Sequence, residues 1–264
     1  MRHVVQLCAA SSDGSKDWLE RTSNVELRVS HDAGMYDAIR RAFSGAGEEV
    51  LCWLNADEQH LPGAYAAVAA AFAAHPETDV LFGDYLLLDA AGRPVAARRE
   101  LPIRRWHLRH GVNANLLSCA VFFRRRVWEA LGGFDLTYTR VADSEFFWRA
   151  LERGFKFRHI STYLGAYGLT GRNLSLDEVG LAEPARLREE TGAWRSPALR
   201  AIPKLCRVAE KALRGCYLRR RVRTTLRDTD GTPVAIDARL GTRWVWTRGG
   251  KDKASRGVRG VRGG

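Results

Sequence analysis

The sequence lacks any apolar run long enough to cross a membrane. Its most Ala-rich stretch, GAYAAVAAAFAAHP at positions 63–76, falls well short of the ~20 apolar residues that a spanning helix requires. The N-terminus, MRHVVQLCAASSDGS, has an apolar run that is too brief and too polar for a secretory signal. These absences predict a cytoplasmic protein.

Cysteine is scarce, and the spacing of the cysteines matches neither a disulfide framework nor a zinc-binding motif. The chain has 5 cysteines, an odd number without any C-x-x-C pair, which argues against a disulfide framework and against a zinc site. We expect reduced thiols that are mostly buried, at Cys8, Cys52, Cys119, Cys206 and Cys216. The chain also has no internal repeat, which excludes a solenoid.

Acidic residues are scarce only towards the C-terminus. Residues 186–264 contain 21 Lys and Arg against 7 Asp and Glu, whereas residues 1–185 contain 21 against 23. The net charge of +12 therefore belongs to the last part of the chain, which predicts contact with an anionic partner. Within it, we expect a basic helical extension over residues 186–246 and a disordered Gly/Arg-rich tail over residues 247–264.

Residues 1–185 alternate between strand-like and helix-like patterns. Short apolar runs such as HVVQLCAA, VELRVS and EEVLCWL are separated by segments with helical spacing, and DVLFGDYLLLDAAG is a further strand. Such alternation predicts an α/β domain with a Rossmann-like, mostly parallel sheet. Later segments predict a basic loop region at 101–115, a strand at LSCAVFFRR, and helices at 126–131 and DSEFFWRALERG.

Polar residues follow the apolar strand EEVLCWL at the point where it ends. They are Asn55, Asp57 and Glu58. Ligands of open α/β sheets bind beyond the carboxyl ends of strands, and carboxylates there suit Mg²⁺ or Mn²⁺ shared with phosphate oxygens. The alternative is an ordinary helix N-terminus, where Asp is also common.

Six short motifs occur along the chain in the order SSDGS, DAGMYDAIRRAF, LNADEQHLPGA, FGDY, FFRRRVWEALGGFD and ADSEFFWRA. Together they resemble the family 2 glycosyltransferases, which are inverting enzymes of the GT-A fold that use nucleotide-sugars. The resemblance runs from about Val4 to about Ser175.

The resemblance implies roles for several carboxylates. Asn55 and Asp57 match the N/D-x-D element that holds a divalent cation and the sugar diphosphate, with Asp57 as the metal ligand, and Glu58 stands where a further Asp is usual. Asp143 matches the catalytic base, and Glu145 is its neighbour in the motif. Inverting transfer requires a base for the acceptor hydroxyl and a counter-charge for the departing diphosphate. The alternative for Asp143 is a helix N-cap.

Four further residues are candidates for the site: two carboxylates on the donor side and two histidines in the basic region. Asp13 of SSDGS matches the family pattern, and Asp84 of FGDY follows a predicted strand, where it lines the donor site or simply belongs to a turn. His107 and His110 are three positions apart in a basic region, but without further ligands nearby they do not predict a metal site.

The sequence departs from the family on the nucleotide side. Met1 falls almost on the family's second strand, so that the first strand and helix are absent, and Leu7 and Cys8 stand where a carboxylate contacts the nucleotide base. Arg40 replaces the usual Asn, and Ser118-Cys119 replaces the His-Gln that often precedes the FFRR strand. Loss of an internal strand should expose a sheet edge.

Two functions therefore remain open. The first is an inverting hexosyltransferase that transfers one sugar to a lipid-linked or cell-envelope glycan, because the Q-x-x-R-W motif of processive synthases is absent. The second is a non-catalytic relic that binds sugar or nucleotide, or acts as an interaction module. Nucleic-acid binding ranks low, since no recognised module accompanies the basic residues.

The basic segment also predicts a membrane contact. We expect a helix near residues 200–227 to lie on the anionic inner surface of a membrane, with each nearby Lys or Arg contributing ~1 kcal/mol. The alternative is a solvated basic face packed on the domain.

Overall fold

The computed structural model describes residues 2–110, 116–169, 178–228 and 231–242. Strands and helices alternate through the first half of the chain, as the apolar patterns predict. In chain order the elements are β1 (Val4–Cys8), α1 (Ser15–Glu20), β2 (Glu26–Ser30), α2 (Met35–Phe43), β3 (Val50–Leu51), β4 (Glu58–His60), α3 (Ala64–Ala74), β5 (Val80–Leu88), β6 (Pro94–Arg98), α4 (Arg105–Arg109), a 3₁₀ turn (Ser118–Ala120), β7 (Val121–Arg124), α5 (Arg125–Leu131), α6 (Ala142–Glu152), β8 (Phe157–Gly168), α7 (Glu178–Glu190), α8 (Pro197–Leu213), β9 (Arg220–Arg227) and β10 (Pro233–Leu240).

A central sheet of six strands organises the molecule and confirms the α/β fold class. Its order is β3-β7-β5-β8-β4, and β6 pairs with β5 as a hairpin. Strands β3, β5 and β8 run in one direction, and β7 lies antiparallel between β3 and β5. Strands β4 and β6 also pair antiparallel with their neighbours, so the direct parallel contact in this sheet is β5 with β8.

Strand β5 forms the centre of the core because all nine of its residues are buried. Its side chains alternate between the two faces of the sheet, as the period of a strand requires. Val80 and Phe82 pack with residues of α5 and α6 on one face, whereas Leu81 and Leu87 pack with α3 on the other.

The first two strands form a separate parallel sheet. Residue by residue, Val4 to Cys8 pair with Glu26 to Ser30. In the part of the chain that the structure describes, β1 has no other strand neighbour, and β3 pairs only with β7. Every residue of β1 is partly exposed, so the exposed sheet edge predicted from the sequence is present.

The predicted helix over 200–227 is wrong in its second half. Helix α8 ends at Leu213, and Gly215 follows with φ of +64°, a conformation that glycine adopts without strain. Residues 220–227 instead form β9, which pairs antiparallel with β10. Val222 and Leu226 alternate with exposed residues and pack against Leu86 and Leu88 of the sheet. In its described residues, the predicted 186–246 extension is therefore part helix and part hairpin.

Two smaller predictions also need correction, and two lie outside the description. The predicted loop at 101–115 contains helix α4, and the strand predicted at EEVLCWL is reduced to Val50–Leu51. The predicted tail at 247–264 and residues 111–115 of the predicted loop lie outside the described residues. Within the described ranges, no helix combines the length and apolarity needed to span a membrane.

Candidate active site

The chain turns sharply after β3, and the turn holds Glu58 inward. The backbone N–H of Asn55 donates to the Glu58 carboxylate at 3.0 Å, and the Asn55 side-chain amide donates to it at 3.1 Å. The Ser118 hydroxyl, from the 3₁₀ turn before β7, also donates to Glu58. Burial raises the pKa of Glu58 to about 7 despite these bonds. Glu58 therefore stabilises the turn.

The Asp57 side chain lies in a more exposed environment than that of Glu58. It is exposed, and no other residue in the described part of the chain donates a hydrogen bond to its carboxylate. Although Asp57 is exposed, the neighbouring chain partly desolvates its carboxylate, which raises the pKa of Asp57. Gly168 at the end of β8 donates to the Asp57 carbonyl at 3.1 Å, and a Cβ at Gly168 would lie 2.7 Å from that oxygen. Only glycine allows the end of β8 this close to Asp57.

The residues around Asp57 supply part of the ligand set that a cation needs, but not a complete one. Within the described residues no group of three or more His, Cys, Asp or Glu side chains comes together. Mg²⁺ commonly uses one or two protein carboxylates and takes its other ligands from phosphates and water. Asp57 supplies one such carboxylate, so it suits a cation that arrives with a diphosphate.

Asp143 lies in the first turn of α6, and its carboxylate accepts a hydrogen bond from helix α2. The Tyr36 hydroxyl of α2 donates to Asp143 Oδ1 at 2.9 Å, and the Ser144 N–H donates to the same oxygen at 2.7 Å. Burial raises the pKa of Asp143, and the two hydrogen bonds oppose that rise. Both bonds end on Oδ1, so Oδ2 is the oxygen better placed to accept a proton.

Asp143 is not the N-cap of α6, so the capping alternative is wrong. The helix begins at Ala142, and Val141 occupies the cap position without a side-chain hydrogen bond. The carboxylate of Glu183, from α7, accepts instead from the backbone N–H groups that lead into the helix, at Thr139, Arg140 and Val141. Glu183 thus satisfies the backbone donors of the segment that leads into α6, whereas the Ser144 N–H in the first turn donates to Asp143 itself.

Glu145 is buried in an ion pair that shapes the preceding turn. Arg149, one turn along α6, binds Glu145 through two guanidinium nitrogens. The same guanidinium donates to the carbonyls of Leu131 at 2.7 Å and Gly133 at 2.9 Å, in the GGFD turn. With both oxygens bound to Arg149, Glu145 serves the architecture of the site more readily than proton transfer.

The remaining candidates have structural partners. Asp84 lies within β5 rather than after a strand, buried, where it accepts from the Glu100 N–H at 2.9 Å and lies 2.8 Å from His159 Nε2. Asp13 accepts from the Ser15 N–H at 3.0 Å as α1 begins, and this bonding lowers its pKa.

The two histidines of the basic region do not converge on a ligand. His110 Nδ1 accepts from the Trp194 N–H at 3.2 Å, and its ring stacks on that indole at 4.0 Å. His107 is buried and stacks on Trp106. Burial lowers the pKa of both imidazoles.

Aromatic packing joins the elements that carry Asp57 and Asp143. Trp53, just before the β3 turn, stacks on Phe147, one turn after Asp143 on α6, with ring centroids 6.2 Å apart. Tyr36 also packs edge-on against Phe134 of the GGFD turn at 5.1 Å. Three of the sequence motifs therefore meet around Tyr36. Its hydroxyl was missed as a site group because apolar spacing on α2 marks only the buried face of a helix.

Comparison with solved structures confirms the GT-A type of fold. TarS from S. aureus, residues 1–349 with UDP-GlcNAc, superposes with a TM-score of 0.56 at 17% identity, over 75% of this chain and 60% of that one. The same protein with UDP gives 0.53 at 15% identity, over 75% and 59%. The chain thus spans about three-fifths of the length of these TarS structures.

Other comparisons add less. A mannosyltransferase from Pyrobaculum calidifontis with GDP-Man and Mn²⁺ also matches, over 80% of this chain, but its TM-score of 0.46 is too low to carry an argument. No protein-family model and no curated protein sequence matches the chain.

Proposed function

We propose that the protein transfers a single sugar from a nucleotide-sugar donor to an acceptor hydroxyl. The observation that carries this proposal is the half-buried carboxylate of Asp143, held at one oxygen by Tyr36 and by the Ser144 N–H. The GT-A type of fold, shared with a protein solved with UDP-GlcNAc, supports it.

Asp143 is the general base in this proposal. Its raised pKa makes it a better proton acceptor than a solvated Asp. It takes the proton of the acceptor hydroxyl while that oxygen forms a bond to the anomeric carbon. The bond from this carbon to the diphosphate breaks on the opposite face, so the nucleoside diphosphate leaves and the configuration inverts.

Asp57 belongs to the donor side. Its carboxylate, which accepts no hydrogen bond from another described residue, would hold Mg²⁺ or Mn²⁺, and the cation when bound would neutralise charge on the departing diphosphate. The hydrogen bonds from Asn55 to the Glu58 carboxylate stabilise the turn beside Asp57. Asp13 and Asp84 are also placed on the donor side in this proposal, although one oxygen of each already accepts a backbone N–H, from Ser15 and Glu100 respectively.

The acceptor in this proposal is a lipid-linked or cell-envelope glycan, reached from a peripheral position on an anionic membrane. Absence of the Q-x-x-R-W motif favours one transfer per acceptor over processive synthesis.

The alternative is a non-catalytic module that binds sugar or nucleotide. Two observations favour it: Leu7 and Cys8 occupy the end of β1, where the family carries a carboxylate, and β1 has an open edge in the described part of the chain. Both bear on the nucleotide side of the site.

Titration of the full chain with UDP, with and without Mn²⁺, separates the two. The transferase should bind UDP more tightly with Mn²⁺, because Asp57 would hold the cation and its charge would offset that of the diphosphate. UMP is the control, since its single phosphate should gain less. Equal UDP affinity with and without Mn²⁺ would exclude the metal-dependent enzyme.

A further inference from the structure

Helix α8 is packed with its charged face inward. Arg207 and Lys211 are only 7% and 6% exposed, respectively. Lys211 Nζ donates to the buried Glu100 carboxylate at 2.8 Å, and Arg207 donates to the carbonyls of Leu101 and Pro102 at 3.0 Å each. These bonds come from one stripe of the helix, since positions four apart share a face.

The opposite face is apolar and faces solvent. We call it the outer face, made of Leu199, Ile202, Leu205, Val208 and Leu213. Leu205 is 66% exposed and Leu213 is 88% exposed. No residue that the structure describes covers them. A globular helix normally buries its apolar stripe, so this orientation, fixed by Glu100, requires another explanation.

The charge around the outer face favours one kind of occupant. Lys204 is exposed on the border of the face beside Val208 by helical spacing, and Arg219 and Arg220 are exposed soon after the helix ends. A second copy of this chain would bring like charges together, because each copy carries +12. Anionic lipid headgroups supply the opposite charge and an apolar layer beneath it.

Aromatic side chains flank the helix at both ends. Trp194 precedes α8 and Tyr217 follows it, and both are partly exposed. Tryptophan and tyrosine favour the boundary between headgroups and acyl chains. Apolar, cationic and aromatic side chains, the three kinds common on interfacial helices, therefore lie on α8 or beside it.

We propose that the outer face of α8 inserts into the headgroup region of an anionic membrane, with the polar face anchored to the protein. This inference gives a structural basis to the membrane contact included in the proposed function. It differs from a purely electrostatic contact, because the inserted groups are leucine, isoleucine and valine.

Co-sedimentation of the full chain with vesicles tests the proposal. The wild type should bind vesicles containing phosphatidylglycerol more tightly than vesicles of phosphatidylcholine alone. The double variant Ile202→Gln/Leu205→Gln should lower the partition coefficient at least ~10-fold, because two apolar side chains no longer leave water. It keeps the net charge, so the loss would report apolar insertion.

Trp18→Gln is the matched control, since Trp18 is 62% exposed on α1, away from α8. It should bind vesicles like the wild type, and all variants should melt at the same temperature. Three results would overturn the proposal: equal wild-type binding to both vesicle types, wild-type binding by the double variant, or a dimer that the double variant dissociates without any lipid binding. No activity is measured, so the transferase proposal is judged separately.

Discussion

The Tyr36 hydroxyl donates a 2.9 Å hydrogen bond to Asp143 Oδ1, across 107 positions of the chain. The same hydroxyl lies 3.2 Å from the Arg140 carbonyl, just before α6. Helix α2 therefore fixes one oxygen of the carboxylate that we propose as the base. The bond also stabilises the charged form of Asp143, in opposition to burial, which raises its pKa.

Tyr36→Phe should shift the pH dependence of transfer. Without the hydroxyl, the ionised Asp143 loses a charge-assisted hydrogen bond of ~1.5 kcal/mol, which corresponds to about one pKa unit. The pKa of Asp143 rises further, so the acidic limb of the kcat/KM profile should move to higher pH by about one unit. The measurement is initial rate against pH on an active preparation.

Tyr65→Phe is the control for this prediction, because the Tyr65 hydroxyl contacts His60 and not a carboxylate. Its acidic limb should stay in place. If Tyr36→Phe lowers the melting temperature and leaves the limb unmoved, Tyr36 has a structural role only.

Lys211→Met should destabilise the protein. It leaves the Glu100 carboxylate buried without its closest cation, and Arg207 remains 3.7 Å away. Removing one partner of a buried pair costs ~3 kcal/mol or more. Urea unfolding should show the loss, and adding Glu100→Gln to Lys211→Met should recover part of it.

Lys204→Met, on the exposed side of the same helix, should unfold like the wild type. An unchanged unfolding midpoint in Lys211→Met would mean that Glu100 does not fix the orientation of α8.

The positions of the candidate carboxylates could be predicted from the sequence, but the partners of their side chains could not. Asp57 follows an apolar run and Asp143 opens an amphipathic helix, and both features are local. The partners of Glu145 depend on burial, because Arg149 four residues on would be an ordinary surface pair on an exposed helix. Only the packing of the GGFD turn shows that this pair is internal.

The C-terminal part was harder to predict for a physical reason. Helical spacing at Leu205, Val208 and Leu213 correctly indicates an amphipathic helix, but it cannot say which face packs on the protein. A buried acid at Glu100, distant in sequence, decides that the cationic face turns inward. Beyond Gly215, the many arginines conceal the strand period carried by Val222 and Leu226.

The last prediction separates the two carboxylates by role. Asp57→Asn should weaken Mn²⁺-dependent UDP binding and also lower transfer, because it acts on the donor. Asp143→Asn should leave UDP and Mn²⁺ affinity nearly unchanged while slowing the chemical step by ~10² to 10⁴, the usual size of acid-base catalysis. Asparagine still accepts from Tyr36 and from the Ser144 N–H, so the fold should persist. Calorimetry measures the affinity and single-turnover transfer measures the rate. Full transfer by Asp143→Asn would show that another group is the base, and Glu145 would then have to leave its bonds to Arg149 to act.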